Sequence, residues 1–393
     1  MDGQAGPDPQ SIEYRRCAEP REYFARLRAL GPVDTAEGFE GRVQVLTLAE
    51  GDRMLHDYEL FSSEVAGAQP GRPRMIPLQV DPPEHSRYRR LLDPVFAPRS
   101  VALLEPDVTS LTNDLIDRFY VKGECDFSEE LSVPLPSAIF LRLFGLPIDG
   151  LDDFLALKNN IMRAPGQNEQ ERAAVRGRAA RQVRDLFSTV IDERSRQPQD
   201  DLITRLINFE VDGDKLTKEE ALDICALLLL AGLDTVSISL QCMLYHLATH
   251  PADRQTLARD PALAPKVVEE LLRWETPVQG VTRVSTRETE VGGCPFPAGT
   301  QFQVLLASIN TDPGTVPGYD GLALTRGDKR HFAFGGGVHR CLGSHLARLE
   351  LRTVLREWHR RIPEYAVKPG AEISWNGAML RGIDHLPLVW EVR

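Results

Sequence analysis

The stretch HFAFGGGVHRCLGSHLAR, His331 to Arg348, decides how the chain is read. Three consecutive glycines, a histidine and a cysteine stand where a helix begins, because CLGSHLARLELRTVLREWHRRI carries leucines at helical spacing. Glycine opens backbone angles closed to other residues and lets the chain approach another surface closely. A cysteine at or just before a helix N-terminus meets unpaired N–H groups and the positive end of the helix dipole, which stabilise a thiolate. Such a thiolate serves as nucleophile or metal ligand, and a buried, inert cysteine is the plain alternative. Competing glycine motifs fail. No Gly-Lys-Ser/Thr is present, Arg340 stands where the last Gly of G-x-G-x-x-G should be, and GSH is not G-x-S-x-G. What remains is Phe334, Gly337, His339, Cys341 and Gly343 at fixed spacing.

The rest of the chain bounds the chemistry. Its 393 residues are 42% hydrophobic, ample for a large core, and the net charge of −11 makes nucleic acid and anionic membrane poor partners. MDGQAGPDPQ has no basic region before an apolar core, and the apolar run Cys225 to Leu233 is short and followed by Asp234, so a cytoplasmic protein is expected. Six scattered cysteines form no C-x-x-C pair, against a zinc site or redox dithiol. Residues 1–20 read as a flexible leader and 21–393 as one domain. VQVLTL (Val43 to Leu48) reads as a strand, followed by a short helix to about Phe61. Residues 62–83 read as a long functional loop. Helical patterns follow at about 84–95, 101–120, 133–144, 150–163, 168–195, 217–249, 263–274 and 341–361. Strands are expected over 281–306 and a hairpin over 375–390. The fold class is mainly α with a smaller β portion, α+β.

On the residues quoted, the cysteine segment resembles the haem-ligand loop of the cytochrome P-450 superfamily, in its soluble bacterial form. The resemblance runs from about Tyr23 to the C-terminus, and IPEYAVKPGAEI with LPLVW is similar to the camphor-oxidising branch. It implies haem b as cofactor and Cys341 as the axial thiolate of its iron, with electron donation favouring O–O cleavage. It also implies that Phe334 covers the sulfur side, and that Gly335, Gly337 and Gly343 bring the backbone near the porphyrin and N–H groups to the sulfur.

Three further constellations fit that resemblance. In LLLLAGLDTVSIS, Leu227 to Ser239, a Gly and an acid interrupt an apolar helix, each at a cost. The plain reading is a core helix with Thr235 bonding back to the carbonyl four residues earlier. The resemblance implies that Ala231 lies over the haem, that Thr235 opens the helix to O₂ and water, and that Asp234 relays protons. In EELLRWETP, Glu270 and Arg273 stand three apart; alone this is a surface pair of about 0.2–0.5 kcal/mol. The resemblance makes it a buried brace for the cysteine loop, completed by Arg326. Glu269, whose i+3 neighbour is Leu272, lacks such a partner. Finally His85, Arg89, Arg283 and His339 match the positions of cations for the two haem propionates, which need paired donors.

The substrate side offers Met75, Ile76 and Leu78 from the loop and Leu227, Leu230 and Ala231 from the long helix. Val278, Gln279 and Val281 follow Pro277, and Met379 and Leu380 lie near the C-terminus. All but Gln279 are apolar, as for a ligand with few polar anchors, though each could be ordinary core. GRPRMIPLQVD (Gly71 to Asp81) lacks the tyrosine that anchors the camphor carbonyl in the resembled branch, so camphor itself is not expected. The implied activity is hydroxylation of a terpenoid-, steroid- or lipid-like substrate with O₂ and two electrons from a ferredoxin and its reductase. Rival readings are oxidative coupling, desaturation or peroxide-driven oxidation, a non-catalytic haem sensor, and a helical binding protein with an inert cysteine. Arg87, Arg90, Arg340, Arg348 and Arg352 form the expected docking face for an acidic partner. A monomer is expected.

Overall fold

The computed structural model describes residues 20–35, 41–64, 74–211, 213–314, 316–327, 330–377 and 380–392. The expected leader falls outside these residues except for Pro20, which is already buried as the N-cap of the first helix.

The N-terminal part comprises α1 (Arg21–Leu30), β1 (Val33–Asp34), β2 (Val43–Val45), α2 (Leu48–His56) and β3 (Phe61–Ser62). A run of helices follows: α3 (Glu84–Phe96), α4 (Pro98–Ala102), α5 (Glu105–Asp117), then β4 (Glu124–Asp126), α6 (Pro134–Leu143), α7 (Leu151–Met162), α8 (Glu169–Arg196) and α9 (Leu202–Asn208). The short pair β5 (Glu210–Val211) and β6 (Asp214–Lys215) leads into α10 (Lys218–Thr249), α11 (Pro251–Arg259) and α12 (Ala264–Glu275). Then come β7 (Val281–Ser285), β8 (Thr289–Val291), β9 (Cys294–Phe296), β10 (Gln301–Val304), α13 (Leu306–Ile309) and α14 (Ser344–Arg361). The chain ends in β11 (Ala366–Val367), β12 (Trp375–Gly377), β13 (Arg381–Ile383) and β14 (Pro387–Val389). The helix expected over 101–120 is two helices. Pro106 has no N–H to continue the first, so α5 starts afresh with proline in its first turn.

The largest sheet has strand order β1-β2-β10-β7-β3, with Val43 opposite Phe302 in a parallel pair and Arg283 opposite Phe302 in an antiparallel one. It carries Arg283 and Val281 toward the helical body. The axis of that body is α10, which packs against α6, α8, α9, α12 and α14. Its start is fixed by a reciprocal cap between Thr217 and Glu220. Glu220 also accepts from Arg87 and Tyr88, docking α3 on the head of α10. Among the described residues α10 alone is long and apolar enough to cross a membrane, yet 61% of its most apolar window is buried inside the protein. It is a core helix, with Leu233, Val236, Leu240, Met243 and Leu247 all buried. Each such side chain contributes about 1.5–3 kcal/mol by leaving water.

Candidate functional site

The cysteine loop is held by its own backbone. Cys341 N–H donates to Phe334 O at 2.8 Å and Gly335 N–H to Phe332 O at 2.8 Å. Gly335 and Gly337 have φ of 66° and 63°, which glycine adopts without strain. A Cβ on Gly337 would lie 2.1 Å from the carbonyl oxygen of Leu55. Gly337 therefore lets the loop cross the end of α2. Gly343 is different: a Cβ there would meet no atom within 4 Å. α14 begins at Ser344, three residues beyond the cysteine.

Cys341 lies deep in the molecule, and burial pushes its thiol up. The Gly343 N–H and the charges of Arg89, Arg340 and Arg348 oppose that shift. Yet the residue itself is exposed. A group enclosed by protein and still accessible faces an internal space. Ala231 and Gly232 are exposed in the middle of the buried α10, and a Cβ on Gly232 would also meet nothing within 4 Å. Within α10, Thr235 Oγ1 donates to Ala231 O at 2.9 Å, the bond back to the carbonyl four residues earlier. Asp234 accepts from Lys158 of α7 at 2.6 Å, in a nearly buried ion pair that the sequence reading missed.

The four expected propionate cations converge from three segments. Arg283 is buried, donates to Thr282 O, and has no carboxylate in ion-pair contact among the described residues. Burial draws its pKa down to about 10. The charge of Asp81 opposes that shift without a direct ion pair, so the buried cation keeps donors for an anionic ligand. His85 is buried and its ring packs 4.4 Å from that of His339, centroid to centroid. Burial, then His339 and Arg89, lower its pKa to about 4. Arg89 donates to Arg340 O and Asp93, tying α3 to the cysteine loop. His339 Nε2 lies 3.0 Å from Asp81 Oδ1, and Asp81 also accepts from Ser62 Oγ and Ser63 N–H. Asp81 falls in the stretch 62–83 read as a long loop, and no periodicity marks it.

Glu270, Arg273 and Arg326 do meet. Arg273 is fully buried, gives Nε and Nη2 to Glu270 at 3.0 and 2.7 Å, and spends its other donors on the carbonyls of Asn310, Tyr319 and Gly321. Arg326 Nε completes the carboxylate at 3.2 Å. Asn310 Oδ1 then accepts from Phe332 N–H, which passes the brace to the cysteine loop. Burial would raise the Glu270 carboxyl, but the bond from Arg273, the Ala323 N–H and both arginine charges hold it below its ordinary 4.5. A group so lowered contributes its stability above that ordinary value and loses it as pH falls. Glu270→Gln should cost about 3–5 kcal/mol by leaving Arg273 underpaired. Urea unfolding checks this, and an unchanged midpoint would make the brace incidental.

The substrate candidates divide. Ala231 is exposed, and Leu230, Val278, Val281, Leu380 and Met75 are half-buried, with Val278 bridged to Leu380. Leu78 is exposed, while Leu227 and Ile76 are buried in the core. Gln279 is corrected: it is buried, and its amide donates to Thr276 O at 2.5 Å. Met379 lies outside the described residues. The docking face also changes. Arg87 is paired with Asp214 and Glu220, Arg348 is clasped by Glu269, and Arg352 reaches Glu105 at 3.5 Å. Arg90 and Arg340 are exposed. Five open arginines are therefore not what the surface presents.

A helical body with an accessible cysteine just before its last long helix, cations gathered beside it from three segments, and a long buried helix that exposes Ala231 and Gly232 fits a haem-thiolate protein. The family model described as Cytochrome P450 matches residues 69–317. The chain is 33% identical over 363 residues to a probable cytochrome P450 127A1 of Sinorhizobium fredii, covering 91% of this chain and 86% of that protein. It is 33% identical over 311 residues to the 6-deoxyerythronolide B hydroxylase of Saccharopolyspora erythraea, covering 78% and 76%. Among solved structures, CYP109E1 of Bacillus megaterium in complex with testosterone superposes with a TM-score of 0.88, at 27% identity over 98% of this chain and all of that one. The chain belongs to the cytochrome P450 family, and it is a haem b oxidoreductase of the monooxygenase type.

Proposed function

We propose that this monooxygenase hydroxylates an apolar, polycyclic or macrocyclic substrate of terpenoid, steroid or lipid type. The observation that carries the reading is the exposure of Ala231 and Gly232 inside the buried α10, together with the half-buried apolar Leu230, Val278, Val281 and Leu380. Apolar walls with few polar anchors select by shape and burial. A related protein hydroxylates 6-deoxyerythronolide B and a structural neighbour holds testosterone, which supports a ligand of that size.

The residues divide the work. Cys341 supplies the thiolate, with Arg283, Arg89, His85 and His339 as donors for the propionates. Haem held by these residues would supply O₂ activation, with one oxygen atom going to substrate and the other leaving as water. Release of that water needs two protons, and we assign their delivery to Asp234 and Thr235. Thr235 Oγ1 donates to Ala231 O but keeps acceptor capacity toward the open side. We assign the electrons to a ferredoxin reduced by a flavoprotein, in the cytoplasm, meeting a surface that includes Arg340.

The purified protein, titrated with steroids, macrolactones, terpenoids and fatty acids, should show a haem spin-state shift with at least one apolar class. Reconstituted with ferredoxin and its reductase, it should return that compound carrying one added oxygen. Spin shifts confined to charged, small ligands would overturn the substrate class.

A further inference from the structure

On the cysteine side Glu269 collects three bonds from two other segments. Arg348 of α14 gives Nε to Oε1 at 2.6 Å and Nη2 to Oε2 at 2.8 Å, and His331 Nε2 lies 3.1 Å from Oε2. The N–H of Ala333 donates to His331 Nδ1, so Nε2 carries the proton offered to the carboxylate. Burial would raise Glu269, but His331 and Arg348 together hold it down at about 2. It is ionised at any working pH.

The guanidinium so fixed lies 4.3 Å from the centroid of the Phe334 ring. Phe334 in turn accepts the Cys341 N–H through its carbonyl. Three cations act on the Cys341 sulfur: Arg89, Arg340 and Arg348. They differ in their surroundings. Arg340 is exposed and its field is screened by solvent. Arg89 has Asp93 as a half-exposed partner. Arg348 is mostly sheltered, with a side chain 22% accessible, and its charge is matched by a carboxylate equally sheltered at 20%. Charges in that setting act over longer distances than on the surface.

We propose that Glu269 and Arg348 form a compensated pair that sets the reduction potential of the thiolate-bound haem, with Glu269 acting through Arg348 as a positioning residue. The pair makes the sheltered charge on the sulfur side close to zero. Either partner alone biases it, because adding an electron to the iron is favoured by a net positive neighbour and opposed by a net negative one. The inference rests on Cys341 being the iron ligand.

The test is equilibrium potentiometry of the ferric/ferrous couple in the haem-loaded protein. Glu269→Gln should move the potential to a more positive value, and Arg348→Met to a more negative one. The double variant should return near the starting value, and Arg348→Lys, which keeps the charge, should stay near it. Single variants that shift in the same direction, or not at all, would overturn the proposal, since loosening of the loop has no reason to follow the sign of charge. The carbon monoxide spectrum is recorded first on each protein. Absence of a thiolate band in the unaltered protein would defeat the haem-thiolate reading itself, whereas a thiolate band with unmoved potentials defeats only the pair. Should either single variant fail to hold haem, the double variant and Arg348→Lys still decide: potentials far from the starting value in both would overturn it.

Discussion

Cys341→Ala should abolish the strongly red-shifted Soret band that the reduced, carbon monoxide-bound protein is expected to show. The expected loss is complete, because no other cysteine among the described residues can take its place. Burial pushes the thiols of Cys125 and Cys225 far up and that of Cys242 to about 12, and each is enclosed in the core. Cys294 is exposed on β9, in a separate hairpin. Among the described residues Cys341 alone is accessible and served by an N–H from Gly343 and three arginine charges. An incoming metal displaces the thiol proton, so burial that disfavours the free thiolate does not prevent ligation. Arg283, Arg89 and the paired histidines should still attract the propionates, so some haem should remain in Cys341→Ala, without sulfur character. Cys341→His should give an imidazole-type spectrum. A thiolate band surviving in Cys341→Ala would refute the assignment.

The parts of this site that the sequence announces are those whose chemistry is local. Cys341 and its glycines fall within one turn of chain, Asp234 and Thr235 are adjacent, and Glu270 and Arg273 share a helix face. The parts it hides depend on pairings across the chain. Lys158 sits in LALKNNI, an ordinary amphipathic helix, and is informative only because α7 crosses α10 at Asp234, 76 residues on. Glu269 looks unpartnered by helical spacing because its partner, Arg348, is 79 residues away. The same long-range pairing removes Arg87 and Arg348 from the open surface, which no count of arginines could reveal. Asp81 is hidden differently: Ser62 and His339 converge on it from segments that the sheet and the cysteine loop bring together. Helix extent was legible wherever apolar spacing was continuous; it failed at Pro106, where a missing N–H outweighs hydrophobic pattern, and near Phe61, which lies in β3 and pairs with Ser285 where the short helix was expected to reach.

Asp234→Asn should slow product formation by about a hundredfold, the scale of losing a positioned proton-transfer group. It should also destabilise the protein. Lys158 and Asp234 join α7 to α10 at 2.6 Å with side chains 5% and 13% accessible, so removing the carboxylate strands a buried ammonium. Breaking such a pair from one side costs about 3–5 kcal/mol, whereas replacing both partners with neutral groups recovers most of that. This separates structure from chemistry. Lys158→Met should lose stability yet keep its product yield per reducing equivalent, because the acid remains beside Thr235. Lys158→Met/Asp234→Asn should regain stability but stay as slow as Asp234→Asn, with an enlarged solvent deuterium isotope effect on turnover. Urea unfolding and product yield, measured on all four proteins, give the two readings independently. If the double variant recovered its turnover together with its stability, Asp234 would be only half of a brace between α7 and α10, and the protons would have to reach Thr235 by another route.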